Sequence, residues 1–332
     1  MKAVILLATY NGERHLAEQL ESLAAQTHRD WQLWVRDDGS TDRSPQIARD
    51  FAARGFDVRL LPSDGRRLGP AASFGYLLGR ALAEPTSNER IFFFCDQDDI
   101  WKANKIARTL ECFADVSHRG RAVFSDLEVV NQDCRPIASS FQTMARLRYR
   151  AENPLTSLIV QNHVTGCTLA FDAELARRSL PFPADLMMHD WWIALLAAAS
   201  GELVEIEETT LLYRQHEAQA SGGVRAGRLA RFWGLLKRWT PLVALMEGRF
   251  RQSRALETRL RERDLAPKAQ AFLATYHRRA VRPFPFSALG IWVLGIRLQT
   301  LPRTLVYALL LGLTRERIRS VLALPSTRPD RA

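Results

Sequence analysis

The amino-acid sequence predicts an α/β protein with a mixed, mostly parallel sheet that is flanked by helices. Short apolar runs such as 4–7 and 91–95 are typical of strands that are buried on both faces of a parallel sheet. Segments with apolar residues at helical spacing, such as 13–26, follow these runs. Strands that alternate with helices form right-handed βαβ units, and ligands then bind at the carboxyl ends of the strands.

The elements follow one another in a regular order up to about residue 120. The second predicted helix begins at Ser44 as its N-cap, has Pro45 at its first position and stops at Gly55. Further on, a polar insertion at 131–153 and looser strand spacing predict that the sheet is not purely parallel. The predicted strands are 4–7, 31–35, 58–61, 91–95, 122–126 and 167–171, and the third predicted helix is 71–83.

Length and composition describe a folded protein of one large or two smaller domains. The chain has 332 residues, of which 47% are hydrophobic and 25% charged, so disordered and fibrous classes are excluded. The four cysteines form no CxxC pair, which is typical of neither a zinc site nor a disulfide framework. With an N-terminal apolar run too short for a signal peptide, these features predict a cytoplasmic protein.

The charge is distributed unevenly along the chain. Residues 1–223 hold 24 Lys and Arg against 30 Asp and Glu, whereas residues 224–332 hold 22 against 6. Two apolar stretches, 286–296 and 305–313, lie in this basic part and are too short to span a bilayer. We therefore predict one domain at 1–223 and a basic helical extension at 224–332 that associates with an anionic membrane surface. Alternatively, the apolar stretches pack onto the first domain or form a homodimer interface.

The most informative motif is Asp96-Gln97-Asp98-Asp99, which directly follows the apolar strand at 91–95. Three carboxylates within four residues repel one another, and burying them without a cation is costly. Mg²⁺ or Mn²⁺ would relieve this repulsion and would complete its coordination with the phosphates of a ligand. The alternative is an acidic helix N-cap, which explains one of the aspartates but not three.

Two other predicted strands also end in polar residues. Thr9-Tyr10-Asn11 follows the first strand, and Asp37-Asp38 follows the second. A tyrosine ring can stack on a base, and a carboxylate can accept a hydrogen bond from an imide N–H. Ordinary turns are the alternative interpretation of either motif, and the absence of GxGxxG after the first strand argues against a dinucleotide site.

Two later motifs contain residues that could act as a base and residues that could bind phosphate. Asp190 opens a helix beside Trp191 and Trp192, whose rings could stack on an acceptor sugar while the carboxylate deprotonates a hydroxyl. Arg214 and His216 follow a strand-like run, where they suit phosphate binding, and His216 could also bind a metal. An ordinary helix cap is the alternative for Asp190.

Taken in order, these motifs resemble those of glycosyltransferase family 2, and the resemblance covers roughly residues 1–220. The resemblance implies the GT-A fold and inversion at the anomeric carbon. Within the family, the motifs are similar to those of the rhamnosyltransferase-like branch, whose members build bacterial surface polysaccharides. The motifs are Ala8-Thr9-Tyr10-Asn11-Gly12, Asp37-Asp38-Gly39-Ser40-Thr41-Asp42, Asp96-Gln97-Asp98-Asp99-Ile100-Trp101, Gly166-Cys167-Thr168, His189-Asp190-Trp191-Trp192 and Tyr213-Arg214-Gln215-His216.

The resemblance also implies roles for individual residues. Asp190 is the catalytic base, Asp98 and His216 are metal ligands, and Arg214 and His216 contact the leaving diphosphate. The implied donor is dTDP-L-rhamnose, and the implied acceptor is a glycan on a polyprenyl diphosphate at the inner leaflet of the cell membrane. The implied donor-nucleotide site consists of Thr9, Tyr10, Asn11, Asp37, Asp38 and Asp96.

Two other classes of function remain open from the residues alone. A metal-dependent nucleotidyltransferase or phosphohydrolase would also use clustered aspartates, but it needs no tryptophans at an acceptor site. A basic nucleic-acid-binding protein would explain the charge of residues 224–332 but not their apolar stretches. We therefore expect no nucleic-acid partner.

Overall fold

The computed structural model describes residues 1–62, 65–85, 89–114, 120–147, 149, 151–215, 239–296, 298 and 301–323. The chain divides into two compact units. The first consists of residues 1–154, 162–182 and 188–214, and the second of residues 155–161, 183–187 and 215–332.

The first unit is built on a nine-stranded mixed sheet, which confirms the predicted α/β class. The strands run in the order β3-β2-β1-β4-β8-β6-β9-β5, and β7 pairs with β6. The strands are β1 (Lys2–Thr9), β2 (Trp31–Asp37), β3 (Val58–Leu60), β4 (Arg90–Cys95), β5 (Ile100–Trp101), β6 (Arg121–Val130), β7 (Pro136–Ala138), β8 (Ala170–Asp172) and β9 (Glu202–Arg214).

The helices of this unit cover the sheet with their apolar faces. Leu16, Leu20 and Leu23 are buried on the first helix, as their spacing predicts, and Phe74 and Leu77 are buried on the third. These helices are α1 (Leu16–Ala24), α2 (Ser44–Ala52), α3 (Pro70–Ala83), α4 (Lys105–Glu111), α5 (Phe141–Ala145), α7 (Ala173–Ser179) and α8 (His189–Ser200). Helix α6 (Pro154–Leu158) lies between α5 and α7 in the chain, and all its residues but Pro154 belong to the second unit.

Strands β1 to β4 form the parallel half of the sheet, and the other half is mixed. β1 pairs in parallel with β2 and β4, whereas β8 lies antiparallel between β4 and β6. Strand β5 has only two residues and pairs with β9, so its length gives no periodicity from which to predict it. The insertion at 131–153, predicted to be irregular, contains β7 and α5.

One helix start also differs from the prediction. Ser44 is the first residue of α2, and Arg43 occupies the cap position. The Ser44 hydroxyl instead accepts a hydrogen bond from the Gly12 amide at 2.7 Å, a contact across 32 residues.

The second unit is helical over its described part. Its helices are α9 (Trp239–Glu262), α10 (Pro267–Ala280), α11 (Phe286–Val293), α12 (Leu301–Leu313) and α13 (Arg315–Ala323). A buried cluster joins α9 to α10, because Glu257 and Ser253 on α9 both hydrogen-bond to the His277 ring on α10. Across the described residues, each helix is too short or too polar to cross a membrane.

Candidate active site

Three parallel strands place their carboxyl ends together, as expected for ligand binding in such a sheet. Thr9 at the end of β1 is the register partner of Asp37 at the end of β2. Gln97, two residues beyond β4, reaches back to β1: its Oε1 accepts hydrogen bonds from the Thr9 hydroxyl and the Tyr10 amide, both at 2.8 Å. Its Nε2 donates to the Tyr10 carbonyl at 3.1 Å. Gln97 thus joins two of the predicted motifs, a role that the sequence pattern did not indicate.

Gly12 allows this close approach. A Cβ at this position would lie 2.3 Å from Oε1 of Gln97, well inside van der Waals contact. The glycine of the first motif therefore makes room for a side chain from another motif.

Tyr10 and Asn11 have different surroundings. The half-buried Tyr10 ring lies under the guanidinium of the exposed Arg67, whose Cζ is 3.9 Å from the ring centroid, a cation–π contact. Asn11 has a φ of 47°, and its Oδ1 accepts a hydrogen bond from the Thr41 amide at 2.9 Å. Asn11 therefore links the loops after β1 and β2, whereas the Tyr10 ring contacts Arg67 of the segment before α3.

The two aspartates after β2 accept hydrogen bonds from nearby backbone amides. Asp37 Oδ2 accepts hydrogen bonds from the amides of Gly39 and Ser40 at 3.2 and 3.0 Å. Asp38 is buried, and its carboxylate accepts hydrogen bonds from the Leu68 and Gly69 amides at 2.7 and 2.8 Å and pairs with Arg36.

Burial raises the pKa of Asp38, but these amide hydrogen bonds and the Arg36 guanidinium outweigh it, so the net shift is downward. Asp38 is therefore ionised at neutral pH and fixes the loop that precedes α3.

The acidic loop after β4 concentrates negative charge. Burial, together with the charges of Asp98 and Asp190, raises the pKa of Asp96 to about 7. Asp99 is fully buried, and its pKa is raised by burial and by the charges of Asp96 and Asp98. The charges that raise the pKa of Asp96 therefore come both from its own loop and from Asp190 on α8.

This region fits a hard divalent cation. Carboxylate oxygens are the ligands that Mg²⁺ and Mn²⁺ prefer, and a cation would remove the like-charge repulsion that raises the pKa of Asp96. Ligand atoms of Asp96, Asp99 and Cys167 lie within 4.8 Å of one another. Sulfur is a soft donor that Mg²⁺ and Mn²⁺ do not prefer, so the carboxylate oxygens of Asp96 and Asp99 suit these cations better than Cys167 does.

Asp190 lies in the first turn of α8 and is buried with 6% of its surface exposed. Its Oδ1 accepts hydrogen bonds from the Trp191 amide at 2.5 Å and from Nδ2 of Asn162 at 3.3 Å. Burial raises its pKa to about 7 against the lowering effect of hydrogen bonds from Trp191, Gly166 and Asn162. A carboxyl poised near neutral pH has the properties of a general base.

The two tryptophans beside Asp190 are packed inside the protein. Trp192 is 0% exposed, and its indole N–H donates to the Ser179 carbonyl at 3.0 Å. Trp191 is 5% exposed. The prediction that Trp192 stacks on an acceptor sugar does not fit this placement, because the helical repeat turns its ring into the core. Trp191 offers only a small exposed surface for the same role.

Arg214, at the end of β9, hydrogen-bonds to the backbone of the acidic loop. Its side chain is 2% exposed; its guanidinium donates to the carbonyls of Asp98 and Gln132, both at 2.9 Å, and pairs with Glu18. These internal partners do not fit the predicted direct contact with the leaving group. His216, predicted as a metal and leaving-group residue, lies outside the described residues.

Lys105 is a further residue of this region that sequence reasoning missed. It is 1% exposed, and its Nζ donates to the Thr210 hydroxyl at 3.0 Å and lies 4.8 Å from the Trp101 ring centroid. Burial lowers its pKa to about 8, while the charges of Cys167, Cys95 and Asp99 oppose this. No motif marks it, since a lysine in the first turn of a helix is ordinarily exposed.

Comparison with known proteins gives the family. The sequence model of glycosyl transferase family 2 matches residues 4–171, about half of the chain, including the first four motifs. The chain belongs to glycosyl transferase family 2. The matched residues include the strands β1 to β4 and the acidic loop that follows β4.

Two curated relatives show how far the family resemblance extends. An uncharacterised glycosyltransferase of Nostoc is 26% identical over 227 residues, which are 66% of this chain and 66% of that protein. The dTDP-rhamnosyl transferase RfbG of Shigella flexneri is 28% identical over 221 residues, which are 65% of this chain and 73% of that protein. The chain thus spans about two thirds of the length of these relatives.

Two solved structures share the GT-A fold with this family member. Residues 1–349 of S. aureus TarS, in complex with UDP-GlcNAc, align with a TM-score of 0.55 and 17% identity over 97% of this chain and 84% of that chain. The mannosyltransferase PcManGT of Pyrobaculum calidifontis, in complex with GDP-Man and Mn²⁺, aligns with a TM-score of 0.53 and 19% identity over 97% of this chain and 83% of that chain. The GT-A fold predicted from the motifs is confirmed.

Proposed function

We propose that this family 2 glycosyltransferase is an inverting hexosyltransferase that moves L-rhamnose from dTDP-L-rhamnose to a lipid-linked glycan. The observation that carries the proposal is the position of Asp190, a buried carboxyl with a pKa of about 7 whose charge interacts with Asp96 of the acidic loop. This position supports a role for Asp190 as the base, beside the carboxylates that would bind the metal and the diphosphate.

The donor nucleotide would bind across the carboxyl ends of β1, β2 and β4. Tyr10 would stack on the base, and Thr9 and Asp38 would contact it, while Asn11 and Asp37 hold the surrounding loops. Asp96 and Asp98, with His216 as a further proposed ligand, would hold Mg²⁺ or Mn²⁺, which when bound neutralises charge on the diphosphate. Arg214 would act through the Asp98 carbonyl that it holds.

The reaction would be a direct displacement at the anomeric carbon. Asp190 accepts the proton of the acceptor hydroxyl as that oxygen bonds to C1, and the bond from C1 to the diphosphate oxygen breaks. The electron pair of that bond leaves with the nucleoside diphosphate. Because attack and departure are on opposite faces of the sugar, the configuration at C1 inverts.

The donor and acceptor are supported by the relatives and the charge distribution. RfbG, which is 28% identical over 65% of this chain, is named a dTDP-rhamnosyl transferase, and this name supports the proposed donor. The basic residues 224–332 favour an acceptor carried on polyprenyl diphosphate at the inner leaflet of the membrane.

Product analysis tests the proposal. The protein is incubated with Mn²⁺, a polyprenyl-diphosphate glycan and either dTDP-L-rhamnose, UDP-GlcNAc or GDP-mannose, and the product linkage is determined by NMR. We expect transfer from dTDP-L-rhamnose with inversion. Transfer from UDP-GlcNAc or GDP-mannose alone contradicts the donor assignment, and retention of configuration contradicts the role of Asp190.

A further inference from the structure

The second unit exposes an unusual amount of apolar surface on two neighbouring helices. Of the sixteen large hydrophobic side chains exposed in the described part of the chain, nine lie between Phe284 and Leu313. Scattered exposed apolar residues are normal, but a concentration of this kind marks an interaction surface. We call it the α11–α12 face. Its members are Phe284, Phe286, Leu289, Trp292, Val293, Leu305, Val306, Leu309 and Leu313.

Helical spacing shows that this face is a continuous stripe on each helix. Leu305, Leu309 and Leu313 are four residues apart on α12 and are 60%, 51% and 61% exposed. Leu289 and Val293 repeat the same spacing on α11. Other positions of the two helices pack inward, with Ile291, Tyr307, Leu310 and Leu311 buried. Each helix is therefore apolar on its outer as well as its inner side.

The two helices lie against each other. A Cβ added at Gly312 would come within 2.9 Å of the Cβ of Phe284, just before α11, so the start of α11 lies beside the end of α12. The exposed apolar residues at the start of α11 and at the end of α12 are therefore close to each other.

Exposed arginines are close to this face in the sequence. Arg282 is exposed two residues before Phe284, and Arg303 is exposed in the first turn of α12. Arg317 on α13 has 67% of its side chain exposed and pairs with Glu247 at 3.5 Å. Within 224–332, cationic side chains outnumber anionic ones by 22 to 6. Two copies of such a segment would repel each other, whereas an anionic surface would attract it.

We infer that the α11–α12 face binds the surface of an anionic phospholipid bilayer. With 8 and 13 residues, the helices are about 12 and 20 Å long, too short to cross a hydrocarbon core of about 30 Å. They would lie in the interface, with the leucine, valine and aromatic side chains among the acyl chains and the arginines at the headgroups. Only one part of this inference rests on the proposed function, namely the reason why the enzyme would work at a membrane.

The test is flotation of the full chain with vesicles of phosphatidylcholine alone or with added phosphatidylglycerol. We expect binding to the mixed vesicles, weaker binding at high salt, and a loss of roughly tenfold or more in the double variant Leu289→Gln/Leu309→Gln. Glutamine keeps the helix propensity, so the thermal midpoint should be unchanged. Leu245→Gln, at an exposed position of α9 in the same unit, is the matched control and should bind as the parent does.

The outcomes separate the inference from the proposed function. Failure of the full chain to float with anionic vesicles at low salt, or unchanged flotation of the double variant, overturns the membrane assignment. The chain could also self-associate in the absence of vesicles, and the double variant could abolish this. That result would show that the α11–α12 face binds a second copy of the chain and would also overturn the membrane assignment. Donor binding is measured separately by calorimetry, and its absence would contradict the proposed function while leaving the vesicle result intact.

Discussion

Two carboxyls, Asp96 and Asp190, carry the chemistry proposed for the site, and both depend on burial for their properties. Burial alone disfavours the charged form of a carboxyl, and here it raises both pKa values to about 7. Asp190 keeps hydrogen bonds to its Oδ1 that orient it, as a base requires, while Asp96 faces the charges of its own loop. Similar pKa values thus accompany different proposed roles.

Replacing Asp190 by asparagine should lower kcat by about 10²–10⁴-fold, because the amide cannot accept the acceptor proton. Calorimetric donor affinity and the thermal midpoint should remain near those of the parent. Asp133→Asn, at an exposed position of the same unit, is the control and should keep full activity. A kcat within tenfold of the parent would contradict the assignment of Asp190 as the base.

Replacing Gly12 by alanine should displace Gln97, since the new Cβ would overlap its Oε1. Loss of the hydrogen bonds to Thr9 and Tyr10 should destabilise the fold by about 1–3 kcal/mol and weaken donor binding. Chemical denaturation and calorimetry measure the two effects. Gly79→Ala is the control: it lies inside α3 with its nearest contact at 4.0 Å, so alanine should be neutral or stabilising. Equal effects of the two substitutions would contradict the proposed role of Gly12.

At the scale of elements, α9 and α10 are joined by a buried ionic cluster. Glu257 is 2% exposed and accepts hydrogen bonds from Nδ1 of His277 and Nη1 of Arg254, both at 3.0 Å, and from Arg261 at 2.5 Å. Burial raises the pKa of Glu257, but the His277 and arginine contacts outweigh it and lower the pKa to about 2. The ionised carboxylate therefore stabilises the helix pair.

This cluster predicts a defined pH dependence of stability. The contribution of Glu257 is fully present above the ordinary glutamate pKa of about 4.5 and is lost as pH falls towards about 2. Glu257→Gln should therefore cost of the order of 2 kcal/mol at neutral pH, and this difference from the parent should shrink below pH 4.5. Urea unfolding at several pH values measures it, with the exposed Glu262→Gln as control. A cost that is independent of pH would show that Glu257 does not act through its charge.

At the scale of the whole molecule, donor binding should stabilise the fold only when metal is present. A ligand at one hundred times its dissociation constant adds about 2.7 kcal/mol to the unfolding free energy. We expect a rise in thermal midpoint with dTDP and Mn²⁺ together, and its loss on adding EDTA. Asp98→Asn should lose the same rise while keeping the midpoint of the ligand-free protein. An equal rise without metal would contradict the proposed roles of Asp96 and Asp98.

The order of strands and helices from β1 to β4 was predictable because it depends on local periodicity. A buried strand requires a continuous apolar run, as at 91–95, and a covering helix requires an apolar face, as Leu16, Leu20 and Leu23 form. The rule that ligands bind at the carboxyl ends of parallel strands then placed Thr9, Asp37 and Asp96 at one edge. None of these inferences requires knowledge of contacts between distant residues.

Tertiary structure alone decided how the side chains at that edge are used. Gln97 meets Thr9 across 88 residues, and Arg214 meets the Asp98 carbonyl across 116, so these contacts depend on strand order and register, which no local pattern encodes. The phase of α8 similarly turned Trp192 into the core instead of towards an acceptor. In the second unit, composition marked Leu305 and Leu309 as apolar, but only the packing of their helices determined that they face outward, because burial depends on what the rest of the chain covers.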